Sequence, residues 1–282
     1  MSPGDIRTIL LVERSSRPGR DRRRTAVLRE LIEYRTLVKN LVLKDLKLKY
    51  RDSVLGVLWS LLNPLLTLTV YTFAFKYVLR VQMEHYPYFL LVGLLPWHFF
   101  ASSTLASTSA IINNANLIKK VYFPLEVLPI ATVLFGFAQL LLALAAFLPA
   151  LVLISGVTLR WTAVLFGPLL LLHLLFTIGL AFLLSTLTTW FRDVAHLTEV
   201  ALTLLFWTTP IIYPATMAPA RLQGLFKASP LAAFAIAYQD VLFWGRVPEA
   251  LVVFTVLGWT AALLLLGHGV FRLRSVVFAE EV

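Results

Sequence analysis

Cysteine is absent from the 282 residues. Disulfides, zinc ribbons and thiolate catalysis are therefore excluded, although in a membrane chain this says little about compartment. No glycine is followed by lysine, so there is no Walker A loop to cradle a nucleotide phosphate, and any nucleotide energy must come from a partner. Acidic residues are scarce, 15 against 25 Lys and Arg. They form neither a DxD motif nor a paired-carboxylate pattern, which argues against a metal-dependent glycosyltransferase. The five histidines, His85, His98, His173, His196 and His268, lack metal-ligand spacing. Asp193 precedes His196 by three residues and reads as a helix cap rather than half of a catalytic pair. There is no early apolar core followed by a small-residue cleavage site, so no signal peptide is expected. A buried chain of acids and an inverted internal repeat are also missing, which argues against a proton-coupled carrier.

What the chain has in abundance is apolar surface. Its residues are 59% hydrophobic, against roughly 45 to 50% in ordinary globular domains, and its mean hydropathy is +0.81. Apolar runs recur from Val54 to Phe271, several of them long enough to cross a hydrocarbon core, which takes about 20 helical residues. Continuous runs such as 127–154 exclude the short alternating segments of an outer-membrane barrel. The pattern predicts an all-α, polytopic membrane protein with six transmembrane helices over about 54–79, 88–112, 123–154, 162–188, 194–212 and 250–271. Pro64, beside Asn63, should kink the first of these.

Residues 1–33 are expected to form a basic cytoplasmic arm. From 34 to 53, Thr36, Asn40, Lys44, Lys47 and Arg51 recur at helical spacing, and Leu37, Val38, Leu41 and Leu48 sit on a flank facing away. This predicts an amphipathic helix lying along the membrane surface. Between Tyr213 and Pro248 the chain is punctuated by proline and glycine. Its apolar piece, Leu231 to Trp244, is shorter than the roughly 17 residues a span requires. A re-entrant hairpin over about 215–245 on the outer face is expected.

The net charge of +10 is concentrated at one end, with 14 of the 25 basic residues in the first 53 positions. Such a cluster reads as a topology signal and as a surface for anionic lipid or a cytoplasmic partner, not for nucleic acid. With six spans and a cytoplasmic N-terminus, 19 Lys and Arg fall inside and 6 outside. A seventh span would send Arg272 and Arg274 outside. Parity therefore favours six spans with both termini cytoplasmic, leaving 272–282 as a cytoplasmic tail.

Ionisable groups within spans are few. Glu126 and Glu199 fall near cytoplasmic ends, and Lys76 can snorkel outward. His173 and Gln139 lie deeper and read first as helix-packing hydrogen-bonders. The Ser/Thr run from Ser102 to Ser109 permits either close helix packing or a wet surface. Aromatics crowd the first segment (Trp59, Tyr71, Phe73, Phe75, Tyr77) and mark the fifth (Phe206, Trp207). Their faces can stack on sugar rings or simply pack against lipid. Trp97, Trp161 and Trp244 fit an interfacial belt.

The stretch LVLKDLKLKYRDSVLGVLWSLLNPLLTLTVYTFAF at 41–75 resembles the membrane subunits of type-2 ABC exporters that carry O-antigen, capsular polysaccharide or teichoic acid. So do GLLPWHFF at 93–100, NNANLIKKVYFPLEVLPI at 113–130, WFRDVAHL at 190–197, TPIIYP at 209–214 and SPLAAFAIAYQDVLFWGRVP at 229–248. The resemblance implies a non-enzymatic permease subunit of the bacterial inner membrane, working as a homodimer with two copies of a separate cytoplasmic ATPase. ATP and magnesium would bind that partner, and this chain would bind no cofactor. The cargo would be a polysaccharide on a polyprenyl lipid, with O-antigen first and teichoic acid or capsule as alternatives. A drug or small-lipid exporter of the same superfamily, a membrane enzyme and an uncoupled channel are further rivals.

By the same resemblance, Asn113, Asn114, Asn116, Leu117, Lys119, Lys120 and Tyr122 would form the element inserted into the ATPase, with Arg192 and Asp193 as weaker candidates. Lys44, Lys47 and Arg51 of the surface helix would attract an anionic lipid head group. Tyr71, Phe75, Phe206 and Trp207 would line the channel, and the hairpin would narrow its exit.

Overall fold

Without water to bond to, backbone amides in a hydrocarbon layer must be satisfied within their own segment, and the apolar runs accordingly become helices. A computed structural model of the chain describes residues 34–51, 58–121, 123–156, 159–275 and 278, and among these every regular element is helical. The basic arm at 1–33, the junction at 52–57, Tyr122 and most of the tail lie outside the described residues.

The elements run in order: α1 (Arg35–Tyr50), α2 (Leu58–Thr72), α3 (Tyr86–Thr108), the short α4 (Ala115–Ile118), α5 (Val127–Ser155), α6 (Phe166–Trp190), α7 (Val194–Thr208), α8 (Ala220–Ala228), α9 (Pro230–Tyr238) and α10 (Ala250–Arg274). A π-helical turn, Phe73–Val78, continues α2, and another, Gln239–Trp244, continues α9. Among the described residues, four stretches are long and apolar enough to cross a membrane: Tyr86–Thr108, Val127–Ala150, Trp161–Trp190 and Ala250–Arg274. At 1.5 Å per residue the 15 residues of α7 reach only about 22 Å, short of a core about 30 Å thick. In α2, Pro64 is carried inside the helix, which then passes into the π turn.

At the heart of the bundle is α3, with 16 of its 23 residues buried, packed against α2, α5, α6 and α7. Close approaches occur where side chains vanish. A Cβ on Gly136 of α5 would meet the Ser103 hydroxyl of α3, and one on Gly267 of α10 would meet the Gly179 carbonyl of α6. Small residues at crossings replace the missing hydrophobic drive between helices in lipid. Several buried hydroxyls bond within their own helices, as Thr177 does to the His173 carbonyl at 2.8 Å and Thr186 to the Phe182 carbonyl at 2.8 Å. Helix α5 ends at Gly156 in the left-handed region (φ 65°), whose N–H bonds the Val152 carbonyl at 3.1 Å. Only glycine takes that backbone geometry without strain.

The segment expected to dip and return does form two short helices, α8 and α9, and their surroundings differ. Much of α8 is exposed, whereas Leu231 through Leu242 are buried. Long-range bonds fix the buried limb and the turn before it. The Tyr86 hydroxyl donates to the Ile212 carbonyl at 2.8 Å, the Tyr88 hydroxyl to Leu242 at 3.1 Å, the Thr162 hydroxyl to Val241 at 2.9 Å and the Gln239 amide to Pro210 at 2.7 Å. Beyond it the buried Asp240 carboxylate pairs with Arg246 at 2.7 Å, and Gly245 turns the chain at φ 63°.

At the opposite end a second cluster gathers Leu41 of α1, Ile111, Phe123, Val127, Phe182, Phe271 and Phe278. Helix α1 packs along α5, so it does more than rest on a lipid surface. Lys49 hydrogen-bonds the side chain of Gln139 and lies 5.7 Å from the Phe135 ring centroid. Gln139 is 12 residues, or about 18 Å, along α5, which makes its polar side chain the docking point for the end of α1.

Candidate functional site: a ring-lined cavity and a basic loop

Helices α2, α3 and α7 converge on a cavity of about 400 Å³. From α2 come Thr67 and Tyr71, from α3 Trp97, His98 and Ser102, and from α7 Glu199, Thr203, Phe206 and Trp207. Within each set the spacings are one, three or four residues, which is why one face of each helix supplies it. Tyr71 lies nearly parallel to Phe206 at 5.7 Å, Trp97 is 5.6 Å from Phe206, and Trp207 meets Phe206 edge-on at 5.4 Å. These are favourable ring geometries that leave faces and edges turned into open space. Hydroxyls and the Glu199 carboxylate add hydrogen-bonding groups among the rings. The result suits a ligand with both apolar faces and polar edges.

Three of the four aromatics expected to line a path, Tyr71, Phe206 and Trp207, therefore meet at one cavity. Phe75 is outside that lining. It contacts Tyr71 edge-on at 6.4 Å and stacks on Tyr86 at 6.4 Å, so it supports the wall from behind. Sequence reasoning assigned Trp97 to an interfacial belt, yet it faces the cavity. It overlooked His98, Thr67 and Thr203 as wall residues. The Ser102–Ser109 run carried the usable signal, since Ser102 turns to the cavity while Ser103 and Thr104 are buried in packing. His173 and Gln139 act as packing groups: His173 Nδ1 is 3.1 Å from the Tyr238 hydroxyl, and Gln139 holds Lys49.

The loop after α3 is ordered by its asparagines. The Asn113 amide donates to the Ser109 hydroxyl at 3.1 Å and the Asn114 amide to the Ala110 carbonyl at 2.8 Å, winding a 3₁₀ turn (Ile112–Asn114) into α4. Leu117 packs inward against the second cluster, whereas Asn116, Lys119 and Lys120 project outward and are exposed. Tyr122 lies outside the described residues. On α1, Lys44, Lys47 and Arg51 are exposed. Arg192 and Asp193 sit in the turn between α6 and α7, where the Asp193 carbonyl accepts the Leu197 N–H at 2.9 Å. Nearby, Arg274 lies over the Trp190 ring at 4.5 Å and ties the end of α10 to α6.

A multi-pass helical bundle with a ring-lined cavity is the architecture of a membrane transport subunit. The chain belongs to the ABC-2 type transporter family, whose match covers residues 36–243. It is 35% identical over 258 residues to the O-antigen export system permease protein RfbA of Myxococcus xanthus, covering 91% of this chain and 99% of that protein. The protein of the same name from Klebsiella pneumoniae is 35% identical over 239 residues, covering 84% of this chain and 91% of the relative. The polysialic acid transport protein KpsM of Escherichia coli is 24% identical over 251 residues, covering 84% of this chain and 93% of the relative.

Proposed function

We propose that this chain is the membrane half of an ATP-driven exporter that carries lipid-linked polysaccharide of O-antigen type from the cytoplasmic to the outer side of the inner membrane. The observation that carries this reading is the cavity among α2, α3 and α7. Its mix of ring faces, hydroxyls and a carboxylate matches sugar rings, which present apolar faces and hydroxylated edges. Similarity to O-antigen permeases over nearly the whole chain supports the same cargo class.

On this reading α2, α3, α5, α6, α7 and α10 are the six crossings, α7 being completed by the buried turn at 209–212, and α8 with α9 is a hairpin entering from the outer face. The excess of Lys and Arg at the end carrying Lys119 and Lys120 sets that end in the cytoplasm. Two copies of the chain enclose the path, each resting on a separate ATPase that binds ATP and magnesium. The exposed Lys119 and Lys120 meet an acidic surface of that ATPase, and Lys44, Lys47 and Arg51 attract the anionic head of the lipid carrier.

Capsular polysaccharide is the second reading, favoured by the similarity to the polysialic acid transport protein KpsM. The test is deletion of the gene, followed by surface staining for each polymer. Loss of the O-antigen ladder, with polymer accumulating on its lipid inside the cell, is expected. A normal O-antigen ladder beside a lost capsule would transfer the cargo to the second reading, and normal surface display of both would overturn export itself.

A further inference from the structure

Next to the ring-lined cavity is a second space of about 20 Å³, and all the residues around it are buried except Trp97, which is partly buried and lines both spaces. A space of at least about 10 to 15 Å³ holds one water if two or more polar groups face it. Two side chains at this space are candidates: His173 of α6 and Thr209, which caps α7, each only 3% exposed.

The hydrogen-bond arithmetic at His173 points to a missing partner. Tyr238 of α9 has one hydroxyl proton and two neighbours, the Leu169 carbonyl at 3.3 Å and His173 Nδ1 at 3.1 Å. A carbonyl cannot donate. Both contacts are hydrogen bonds only if the tyrosine gives its proton to Leu169 and Nδ1–H gives its own to the tyrosine. Nε2 is then a bare acceptor, and it is a fully buried atom with no partner. Rings enclose it, since Phe234 stacks on the imidazole at 4.5 Å and Phe100 at 5.8 Å. A buried acceptor left unmet is costly, which makes a bound donor the expected solution.

We propose that this space is a binding site for a single water, which donates to His173 Nε2 and bonds the Thr209 hydroxyl. Through it His173 becomes a positioning residue that ties α6, the buried hairpin limb α9 and the end of α7 into one joint. Trp97 lines both the joint and the ring-lined cavity, so a ligand that displaces Trp97 also disturbs the anchor of α9. That last step rests on the exporter reading, and the water and the joint do not.

The test uses the full chain in lipid nanodiscs, without an ATPase. With ¹⁵N-labelled histidine, the resonances lost in His173→Asn identify residue 173. The expected pattern is a protonated Nδ1 and a hydrogen-bonded, unprotonated Nε2 whose shift moves in Thr209→Val. A protonated Nε2, one showing no hydrogen bond, or one indifferent to Thr209→Val overturns the water site.

Because the chain is free of cysteine, Ala233→Cys on α9 gives one buried thiol whose maleimide labelling rate reports opening of the hairpin. His173→Phe fills the ring site without either bond and should raise that rate about threefold to tenfold, the range expected for one or two lost hydrogen bonds. His173→Asn keeps a donor toward Tyr238 and should recover part of the protection. If His173→Phe labels at the wild-type rate, the imidazole is packing only and the joint is refuted. Ala237→Cys gives the same readout one turn on should the first thiol disturb folding.

Discussion

Gly267→Ala should force α6 and α10 apart, although alanine is the better helix former. An alanine Cβ at 267 would sit 2.1 Å from the Gly179 carbonyl oxygen and 3.0 Å from its carbon, whereas carbon–oxygen contacts of this kind settle near 3.3 to 3.6 Å. The obstacle is backbone, so no rotamer change relieves it, and the helices must separate by more than about 1 Å. Overpacking of this sort costs about 1 to 3 kcal/mol. The gain in helix propensity, about 1 kcal/mol for glycine to alanine, opposes it. Gly258 and Gly269 on the same helix meet nothing within 4 Å, so Gly258→Ala and Gly269→Ala supply the propensity gain alone. The assay is thermal unfolding of the detergent-solubilised chain followed by tryptophan fluorescence. At about 2 to 4 °C per kcal/mol for chains of this order of size, Gly267→Ala should melt about 2 to 12 °C below Gly258→Ala. If Gly267→Ala instead melts with the two controls, α6 and α10 do not cross at these glycines.

Three further outcomes follow from the cavity, the loop and the surface helix. Tyr71→Ala, measured as the rate of surface polymer display, should lower export roughly tenfold, an effect in line with the 0.5 to 1.5 kcal/mol of a ring contact. Tyr71→Phe should retain most of the activity, and equal loss in both would assign the role to the hydroxyl instead. Lys119→Glu with Lys120→Glu should abolish co-purification of the ATPase while leaving the melting temperature unchanged, because both side chains are exposed. Retained co-purification would remove the loop from the contact. Burial pushes the Asp45 carboxyl above its usual range, against a smaller opposing pull from Lys44. A raised folded pKa means that stability is lost as pH climbs from the ordinary carboxyl value of 3.8 through the folded pKa, and the penalty is fully present at neutral pH. Asp45→Asn should therefore slow proteolytic release of α1 at neutral pH and make little difference below pH 3.8, and faster release at neutral pH would refute the burial.

Much of the bundle was readable because membrane helices obey a one-dimensional rule, that a run of sufficient length must satisfy its own amides. The break of this region into the short helices α8 and α9 was equally legible, since the apolar piece at 231–244 is too short to cross and has proline at its start. What a run cannot show is which face meets which neighbour. Tyr71 and Phe206 stand 135 positions apart and stack all the same; aromatic content left sugar stacking and lipid packing both open for them, and only the family resemblance singled them out. Trp97 was misread because a tryptophan near the end of an apolar run has the same local signature whether it faces headgroups or a cavity. The pairings of Lys49 with Gln139 and of His173 with Tyr238 left no local trace, because each joins helices whose register is set by packing. Length was the other blind spot. Helix α7 ends at Thr208, before the apolar run does, because Thr209 and Pro210 turn the chain toward the hairpin.

If the chain works with a separate ATPase, as proposed, the position of α3 offers a route by which it would respond to that partner. One end leads into Ile111, which is fully buried in the cluster that also holds Leu41, Val127 and Phe271. The basic loop, α1 and the ends of α6 and α10 thus share one body at that end. About 34 Å away along its 23 residues, the other end holds the hairpin through the Tyr86 and Tyr88 hydroxyls. Midway along, Trp97 and Ser102 form the cavity wall. A displacement applied at the loop is therefore delivered by a single buried helix to the cavity wall and to the hairpin anchor together. On the exporter reading, grip on the polymer and opening of the exit would need no separate relays, since both are mounted on the same rod. This is also why charge reversal at Lys119 and Lys120 is expected to silence export without loosening the fold: it removes the push and leaves the rod in place.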